Sequence, residues 1–100
     1  MTIYVDIDGT ICTWEKNGDY SCAEPYPDAI AKVNRYYAMD YLVVLWTARG
    51  TGTGKDWRAG TEAQLKRWGV KYHELKFGKP LWDLYICDKS VNAMDWRMMP

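Results

Sequence analysis

Short apolar runs alternate along the chain with stretches of helical periodicity. Residues 3–8 form a nearly continuous apolar run that ends in acidic residues, and "YLVVLW" at 41–46 forms a second run. Runs of this length predict strands buried on both faces of a parallel sheet. Two further segments, "VKYHEL" at 70–75 and "LYIC" at 84–87, predict a short third strand and a fourth strand.

Helical periodicity lies between the predicted strands. Residues 25–40 carry prolines at a helix entrance and present apolar side chains on one face. Residues 58–69 predict a second helix that ends at Gly69, and residues 91–98 predict a final turn of helix. Strands separated by helices require right-handed crossovers. The expected fold class is therefore α/β, a Rossmann-like parallel sheet flanked by helices.

The segment from 11 to 23 predicts a small β-hairpin that projects from the end of the first strand. Asn17 and Gly18 lie at its centre, and this pair favours a type I′ turn because both turn positions need positive φ. Trp14 and Tyr20 lie on the same segment. They would either pack against the rest of the protein or contact a substrate.

Composition narrows the classes of function. A chain of 100 residues, 48% hydrophobic and 26% charged, predicts one globular domain over residues 1–100, with no room for an inserted cap domain. Thirteen basic residues balance thirteen acidic ones, so neither a nucleic acid polymer nor a membrane is expected as a partner. No signal peptide is visible. Three cysteines without a C-x-x-C pair favour a reducing, cytoplasmic location.

Polar side chains suited to phosphate chemistry follow the predicted strands. The acids are Asp6 and Asp8 after the first strand and Asp88 after the fourth. Thr47 follows the second strand, and Lys79 precedes the fourth. Ligands of open parallel sheets bind at the carboxyl ends of the strands, where these groups would meet. Clustered acids favour Mg²⁺, and a lysine and a threonine complement phosphate oxygens, so the pattern indicates phosphoryl transfer.

The order of these motifs resembles the haloacid dehalogenase (HAD) superfamily of phosphohydrolases. "VDIDGT" at 5–10 has the family's form D-x-D-x-[TV] after an apolar strand, and the threonine, lysine and final aspartate follow in order. The segments 46–58, 61–75 and 77–92 further resemble small capless phosphatases that are often found with capsular or surface-polysaccharide genes. The resemblance extends over essentially the whole chain. It implies a HAD-like core without a cap domain, and a flap at about 11–23.

The resemblance implies roles for the three acids. Asp6 would be the nucleophile that forms an aspartyl-phosphate. Asp8 would be the general acid for the leaving alcohol and then the base that activates water. Asp6, the backbone carbonyl of Asp8 and the carboxylate of Asp88 would hold Mg²⁺. Relatives commonly carry two adjacent acids where this chain has Cys87 and Asp88, and many carry a further acid where it has Asn92.

The resemblance also implies a substrate-binding set. Thr47 would hold the transferring phosphoryl group, with Ala48 beside it, and Lys79 would neutralise the developing charge. Arg49 would either clamp a second anionic group of the substrate or anchor its loop by pairing with an acid. Cys87, at the end of a strand expected to be buried, is interpreted as a small core residue.

The expected activity is Mg²⁺-dependent hydrolysis of a small sugar- or polyol-phosphate. One alternative is a binding or regulatory protein that keeps the phosphate pocket and turns over poorly. A phosphotransferase and a nucleotidase of the same superfamily are further alternatives. Six tryptophans and eight tyrosines exceed what one small core buries, which is consistent with a homo-oligomer that covers an open, capless site.

Overall fold

Three parallel strands form the sheet of the computed structural model, which describes all 100 residues. The strands are β1 (Thr2–Val5), β2 (Leu42–Trp46) and β3 (Glu74–Lys76), in the order β1-β2-β3. Thr2 is the register partner of Leu42. The first three predicted strands are therefore confirmed, although β3 begins later than the apolar run at 70–75 suggested.

The predicted helices are also present. They are α1 (Pro27–Ala38), α2 (Arg58–Arg67) and α3 (Ala93–Met98). Beyond α2, Gly69 has a φ of 72°, and the amide of Val70 donates a hydrogen bond to the carbonyl of Leu65. This is the left-handed glycine cap that the sequence predicted.

Helices α1 and α2 pack on the same face of the sheet. This follows from the strand order, because successive right-handed crossovers in one direction place their helices on one side. The buried residues that join the two helices to β2 are Ile30, Val33, Val43, Leu45 and Leu65.

The opposite side of the sheet, here called the open face, carries the other side chains of the strands. Because side chains alternate along a strand, Tyr4, Leu42 and Trp46 point to this side. Tyr4 is 53% exposed, and Leu42 is also exposed. The protein is thus a parallel sheet flanked by helices whose second face stays partly apolar and accessible.

The predicted β-hairpin at 11–23 is wrong. This segment contains no strand, and its regular structure is one turn of 3-10 helix at Tyr20–Cys22. Gly18 has a φ of 74°, but Asp40 is the one residue other than glycine with a positive φ. The Asn17-Gly18 pair therefore does not form a type I′ turn.

Side chains within the segment explain the failure of the hairpin. Asn17 accepts a hydrogen bond from the amide of Asp19, and Asp19 accepts one from the amide of Ser21. Such local bonds satisfy backbone donors that a strand ladder would otherwise use. Only the base of the segment is closed as in a hairpin, where the amide of Thr13 donates to the carbonyl of Glu24 at 2.9 Å.

The predicted fourth strand at 84–87 is also wrong. These residues pair with no strand, and Leu84 and Ile86 are 76% and 86% exposed. Cys87 is exposed, so its interpretation as a core residue is wrong as well. We refer to residues 80–91 as the arm, and to residues 1–79 with α3 as the body.

The two flanks of the arm are fixed to opposite sides of the body. Trp82 packs against Trp46, which belongs to the open face. Trp96 on α3 donates a hydrogen bond from its indole nitrogen to the hydroxyl of Tyr36 on α1. The residues between these two attachments stand off the sheet.

No helix of the protein has both the length and the apolar composition that a membrane span requires.

Candidate functional site

Asp6 and Lys79 form an ion pair at the carboxyl end of β1. The ammonium of Lys79 lies 3.3 Å from Oδ1 of Asp6, and the amide of Ile7 donates to the same oxygen at 2.8 Å. Burial raises the pKa of Asp6 above its ordinary value, and the charge of Lys79 opposes that rise. The Asp6 side chain is still 38% exposed, so its carboxylate is open to a ligand.

Lys79 is held in position by its backbone and by aromatic rings. Its amide donates to the carbonyl of Thr47 at 3.2 Å, and its carbonyl accepts from the hydroxyl of Thr51. Its ammonium lies 5.0 Å from the ring centre of Trp82 and 5.8 Å from that of Trp46. Cation–π contacts of this kind fix the ammonium beside Asp6.

Thr47 follows β2 at the same end of the sheet. Its amide continues the ladder by donating to the carbonyl of Lys76, and the residue is 1% exposed. Its hydroxyl oxygen accepts from the amide of Arg49 at 3.1 Å, which leaves the hydroxyl proton for another acceptor. Ala48 is half-buried, and its carbonyl accepts from Thr51 as the loop turns.

Asp8 is bound through both of its oxygens by Arg49. Nε of Arg49 lies 2.9 Å from Oδ2 of Asp8, and Nη2 of the same guanidinium lies 2.8 Å from Oδ1. Arg49 is 3% exposed. Of the two roles left open for Arg49, pairing with an acid is therefore the one seen, because a guanidinium enclosed in this way is not free to clamp a substrate.

The remaining donors of Arg49 connect the site to α2 and to the flap segment. Nη1 of Arg49 donates to the hydroxyl of Thr61 at 3.0 Å and to the side-chain oxygen of Gln64 at 2.8 Å. The side-chain amide of Gln64 in turn donates to the backbone carbonyl of Tyr20. The ring centre of Tyr20 lies 4.8 Å from the guanidinium carbon of Arg49. Every buried side-chain nitrogen and oxygen of the protein has a partner.

Cys12 lies against the same carboxylate. Its sulfur is 3.6 Å from Oδ1 of Asp8, and the residue is fully buried. Burial, and next the negative charge of Asp8, raise the pKa of Cys12 to about 12. Cys12 is therefore a protonated thiol and does not act as a nucleophile at neutral pH.

Asp88 is not brought to this site, because it lies on the exposed arm. No three carboxylate, imidazole or thiol side chains of the chain come together in a group that could hold a metal ion. Asp8 is occupied by Arg49, which leaves Asp6 as the acid with an open carboxylate.

A cleft opens beside the site between the loop after β2 and the start of α2. Its volume is about 230 Å³, and Thr51, Lys55 and Arg58 are among its lining residues. Gly50 has a φ of 82°, and a Cβ placed there would collide with the carbonyl oxygen of Lys55. The loop can close this tightly only with glycine at that position.

Sequence reasoning missed the polar residues of α2 that hold Arg49. The sequence does contain a signal for these residues, because helical spacing places Thr61 and Gln64 on the side of α2 that also carries Leu65. All three residues are buried. A hydroxyl and an amide on the core side of a helix require a polar partner in the core. Trp82 beside Lys79 gave no such signal, since its position depends on where the arm crosses the open face.

Comparison with known proteins supports the fold. The chain is similar to a solved crystal structure of a protein from Vibrio cholerae, with 27% sequence identity and a TM-score of 0.83. The similarity covers 99% of this chain and 89% of that one. No protein-family model and no curated protein matches the sequence. The likeness agrees with a small α/β protein built on a parallel sheet.

Proposed function

We propose that this protein has a HAD-like core and hydrolyses small phosphomonoesters through an aspartyl-phosphate on Asp6. The observation that carries the proposal is the ion pair at the end of β1, where the ammonium of Lys79 lies 3.3 Å from the exposed carboxylate of Asp6. A phosphoryl group bound there would meet a nucleophile and a cation together. The order of the HAD motifs along the chain supports the same conclusion.

The reaction would proceed in two displacements at phosphorus. A carboxylate oxygen of Asp6 attacks the phosphorus, and the bond to the leaving alcohol breaks. Lys79 offsets the charge on the phosphoryl oxygens, and the free hydroxyl proton of Thr47 is available to one of them. Water then attacks the same phosphorus, which releases phosphate and restores the carboxylate.

Asp8 would donate the proton to the leaving alcohol and then take one from water. Both of its oxygens are bound by Arg49, so one of these two hydrogen bonds has to open before Asp8 can reach the substrate. The remaining bond would keep the carboxylate oriented. Arg49 is thus a positioning residue for Asp8, supported from α2 by Thr61 and Gln64.

Mg²⁺ belongs to this proposal as the cation that would neutralise charge on the phosphoryl oxygens. Asp6 would hold it through its open carboxylate and Asp8 through its backbone carbonyl, while Asp88 lies on the exposed arm.

The cleft beside Arg49 supports a sugar- or polyol-phosphate as the substrate class. Its polar lining residues include Thr51, Lys55 and Arg58 together with the acid Asp56, a mixture that suits the hydroxyls of such a substrate. A nucleotide is less well supported, because Trp57 already packs edge-on against Tyr20 at 4.9 Å.

A second candidate is a protein that binds phosphate esters without cleaving them. The specific observation in its favour is the bidentate Asp8–Arg49 pair, which occupies the group expected to move protons. In that case Lys79 and Thr47 would still bind the phosphoryl group. Only the proton transfer would be missing.

The test is phosphate release from a panel of sugar, polyol and nucleotide monophosphates, with and without Mg²⁺. We expect release by the wild-type protein, none by Asp6→Asn, and wild-type rates for Asp83→Asn, which removes an exposed acid of the arm. Binding of the same esters is measured in parallel by calorimetry. Binding without release in the wild type would reject hydrolysis and favour the second candidate.

A further inference from the structure

The enclosed guanidinium of Arg49 has one contact that comes from a different part of the chain than the others. Its edges are held by Asp8 after β1 and by Thr61 and Gln64 on α2. Its face is covered by the ring of Tyr20, whose centre lies 4.8 Å from the guanidinium carbon. Tyr20 belongs to the flap segment, which contains neither a strand nor an α-helix. The flap segment therefore reaches Asp8 through Arg49.

The edge contacts and the face contact restrain different motions of the guanidinium. Nε and Nη2 are bonded to Asp8, and Nη1 is bonded to α2, so the planar group cannot slide within its own plane. Hydrogen bonds at the edges resist tilting out of that plane much less. The ring of Tyr20 opposes the tilt, because a cation is attracted to the face of an aromatic ring and a guanidinium packs flat on it.

Tyr20 itself is fixed by two contacts. The side-chain amide of Gln64 donates to its backbone carbonyl at 2.9 Å, and its ring packs edge-on against Trp57 at 4.9 Å. Gln64 accepts from Arg49 through its oxygen, so one side chain ties the flap segment to the guanidinium. Trp14 on the same segment is 63% exposed. Of the two roles left open for these aromatic residues, packing against the rest of the protein is the one seen for Tyr20.

The restraint on tilting acts on the step that Asp8 is proposed to perform. One of the two Asp8–Arg49 hydrogen bonds has to open before Asp8 reaches the leaving alcohol, and a single bond then orients the carboxylate. A guanidinium free to tilt would carry Asp8 out of line. Displacement of a reacting group by about 1 Å costs on the order of a hundredfold in rate.

We propose that Tyr20 is a positioning residue for proton transfer by Asp8, acting through Arg49. When the bond from phosphorus to the alcohol breaks, its electron pair goes to the alcohol oxygen, which takes the proton of Asp8. Cleavage of esters of sugar-like or polyol-like alcohols thus depends on the flap segment, whereas esters of acidic phenols do not need it. This role rests on the proposed function, and it gives the flap segment a part in the chemistry.

Two esters of similar size separate these cases, benzyl phosphate and 4-nitrophenyl phosphate. Benzyl alcohol leaves with a proton from the enzyme, whereas 4-nitrophenolate is stable enough to leave without one. The value of kcat/KM compares the free enzyme and ester with the first transition state, so the later attack of water does not affect it. The ratio of the two kcat/KM values therefore measures proton donation.

Tyr20→Leu removes the ring and keeps the backbone carbonyl and an apolar side chain. It should lower kcat/KM for benzyl phosphate about tenfold and leave the value for 4-nitrophenyl phosphate within about twofold, a part of what full general acid catalysis supplies. Asp8→Asn should show the same pattern with a larger loss. Tyr20→Phe should restore wild-type values, because the ring and the backbone carbonyl make the contacts.

Tyr41→Leu is the matched control, since Tyr41 is another half-buried tyrosine and stacks on Tyr36 at the amino end of β2. It should leave the ratio for the two esters unchanged, whatever its effect on stability. Equal losses for both esters in Tyr20→Leu, or no loss for either, would overturn the positioning role. A change of the ratio in Tyr41→Leu as large as in Tyr20→Leu would overturn it as well.

Hydrogen exchange at Arg49 tests the same contact without reference to activity. The Nε–H signal of Arg49 is identified by its loss in Arg49→Lys, and it should exchange slowly with water because the group is buried and bonded to Asp8. Tyr20→Leu should speed this exchange, and Tyr20→Phe should not. Unchanged exchange in Tyr20→Leu would show that the ring does not restrain the guanidinium and would overturn the proposal.

The two measurements separate the possible failures. A wild-type protein that releases no phosphate from either ester would refute the proposed hydrolysis, and with it the role of Tyr20 in proton transfer, while exchange at Arg49 would still decide whether the ring restrains the guanidinium. An active wild type in which Tyr20→Leu affects both esters alike would refute the positioning role and keep the hydrolysis.

Discussion

In the body of the protein even a charged side chain is buried and has all its hydrogen-bond partners, whereas in the arm large apolar side chains face water. Arg49 is 3% exposed and has a hydrogen-bond acceptor for each of its three side-chain nitrogens. Ile86 is 86% exposed and Leu84 nearly as much. Polarity alone therefore does not decide burial here. The deciding factor is whether a matching surface exists within the same chain, and the body supplies one for Arg49.

The largest effect expected in this comparison comes from removing the enclosed cation. Arg49→Met should lower the free energy of unfolding by about 3–5 kcal/mol, because Asp8 is left as a buried carboxylate without its partner. Gln64 loses the donor to its side-chain oxygen at the same time. Urea unfolding measures the loss. Arg67→Met, which removes an exposed guanidinium from the end of α2, is the matched control and should change little.

Two leucines compare the body and the arm directly. Leu65→Ala removes a fully buried side chain of α2 and should cost about 2–5 kcal/mol. Leu84→Ala in the arm should change the unfolding free energy of dilute, monomeric protein by less than about 0.5 kcal/mol. Equal costs for the two substitutions in dilute protein would contradict the exposed position of the arm.

Two glycines of the loop after β2 give a smaller effect. Gly54→Ala places a Cβ in open space at a φ of 75°, so it should cost about 1 kcal/mol of backbone strain. Gly50→Ala adds a collision with the carbonyl of Lys55 and should cost more, with weaker binding of phosphate esters at the adjacent cleft. Thermal unfolding and ester binding measure the two effects. Equal losses of stability and of ester binding in the two variants would contradict a role for the close approach of Gly50 to Lys55.

The smallest effect expected is the change of folding stability with pH that the titration of Asp6 produces. Its pKa in the folded protein is raised, so protonated Asp6 favours folding below the ordinary pKa of 3.8, and this stability is lost as pH rises through the folded value. Asp6→Asn removes that loss. The variant should therefore gain stability relative to wild type between acidic and neutral pH, by a small amount because water still screens the side chain. Parallel stability curves for Asp6→Asn and wild type would contradict the prediction.

Much of the body could be predicted from the sequence because its signals are local. The apolar runs of β1 and β2, the helical periodicity of α1 and the glycine after α2 each report on a few neighbouring residues. The meeting of Asp6 with Lys79 could also be predicted, since the ends of parallel strands share one edge of a sheet. The pairing of Arg49 stayed open, because it depends on how α2 packs against the sheet.

The two wrong predictions of β structure have different physical causes. At 11–23 the turn signal of Asn17 and Gly18 was real, but Asp19 captured the amide of Ser21 and one turn of 3-10 helix formed instead. At 84–87 the apolar pattern suits a strand, yet a strand also needs a free edge that it can reach. That second requirement is a property of the whole fold, and no local pattern contains it.

The order of the strands has a consequence for the time course of folding. Each pairing in the sheet joins strands that are consecutive in the chain, so β1, β2 and β3 can assemble before the arm docks on the body. Refolding should accordingly begin with a first-order phase whose rate is independent of protein concentration. Docking of the arm onto the body, where Trp82 packs against Trp46, would come later as a separate phase.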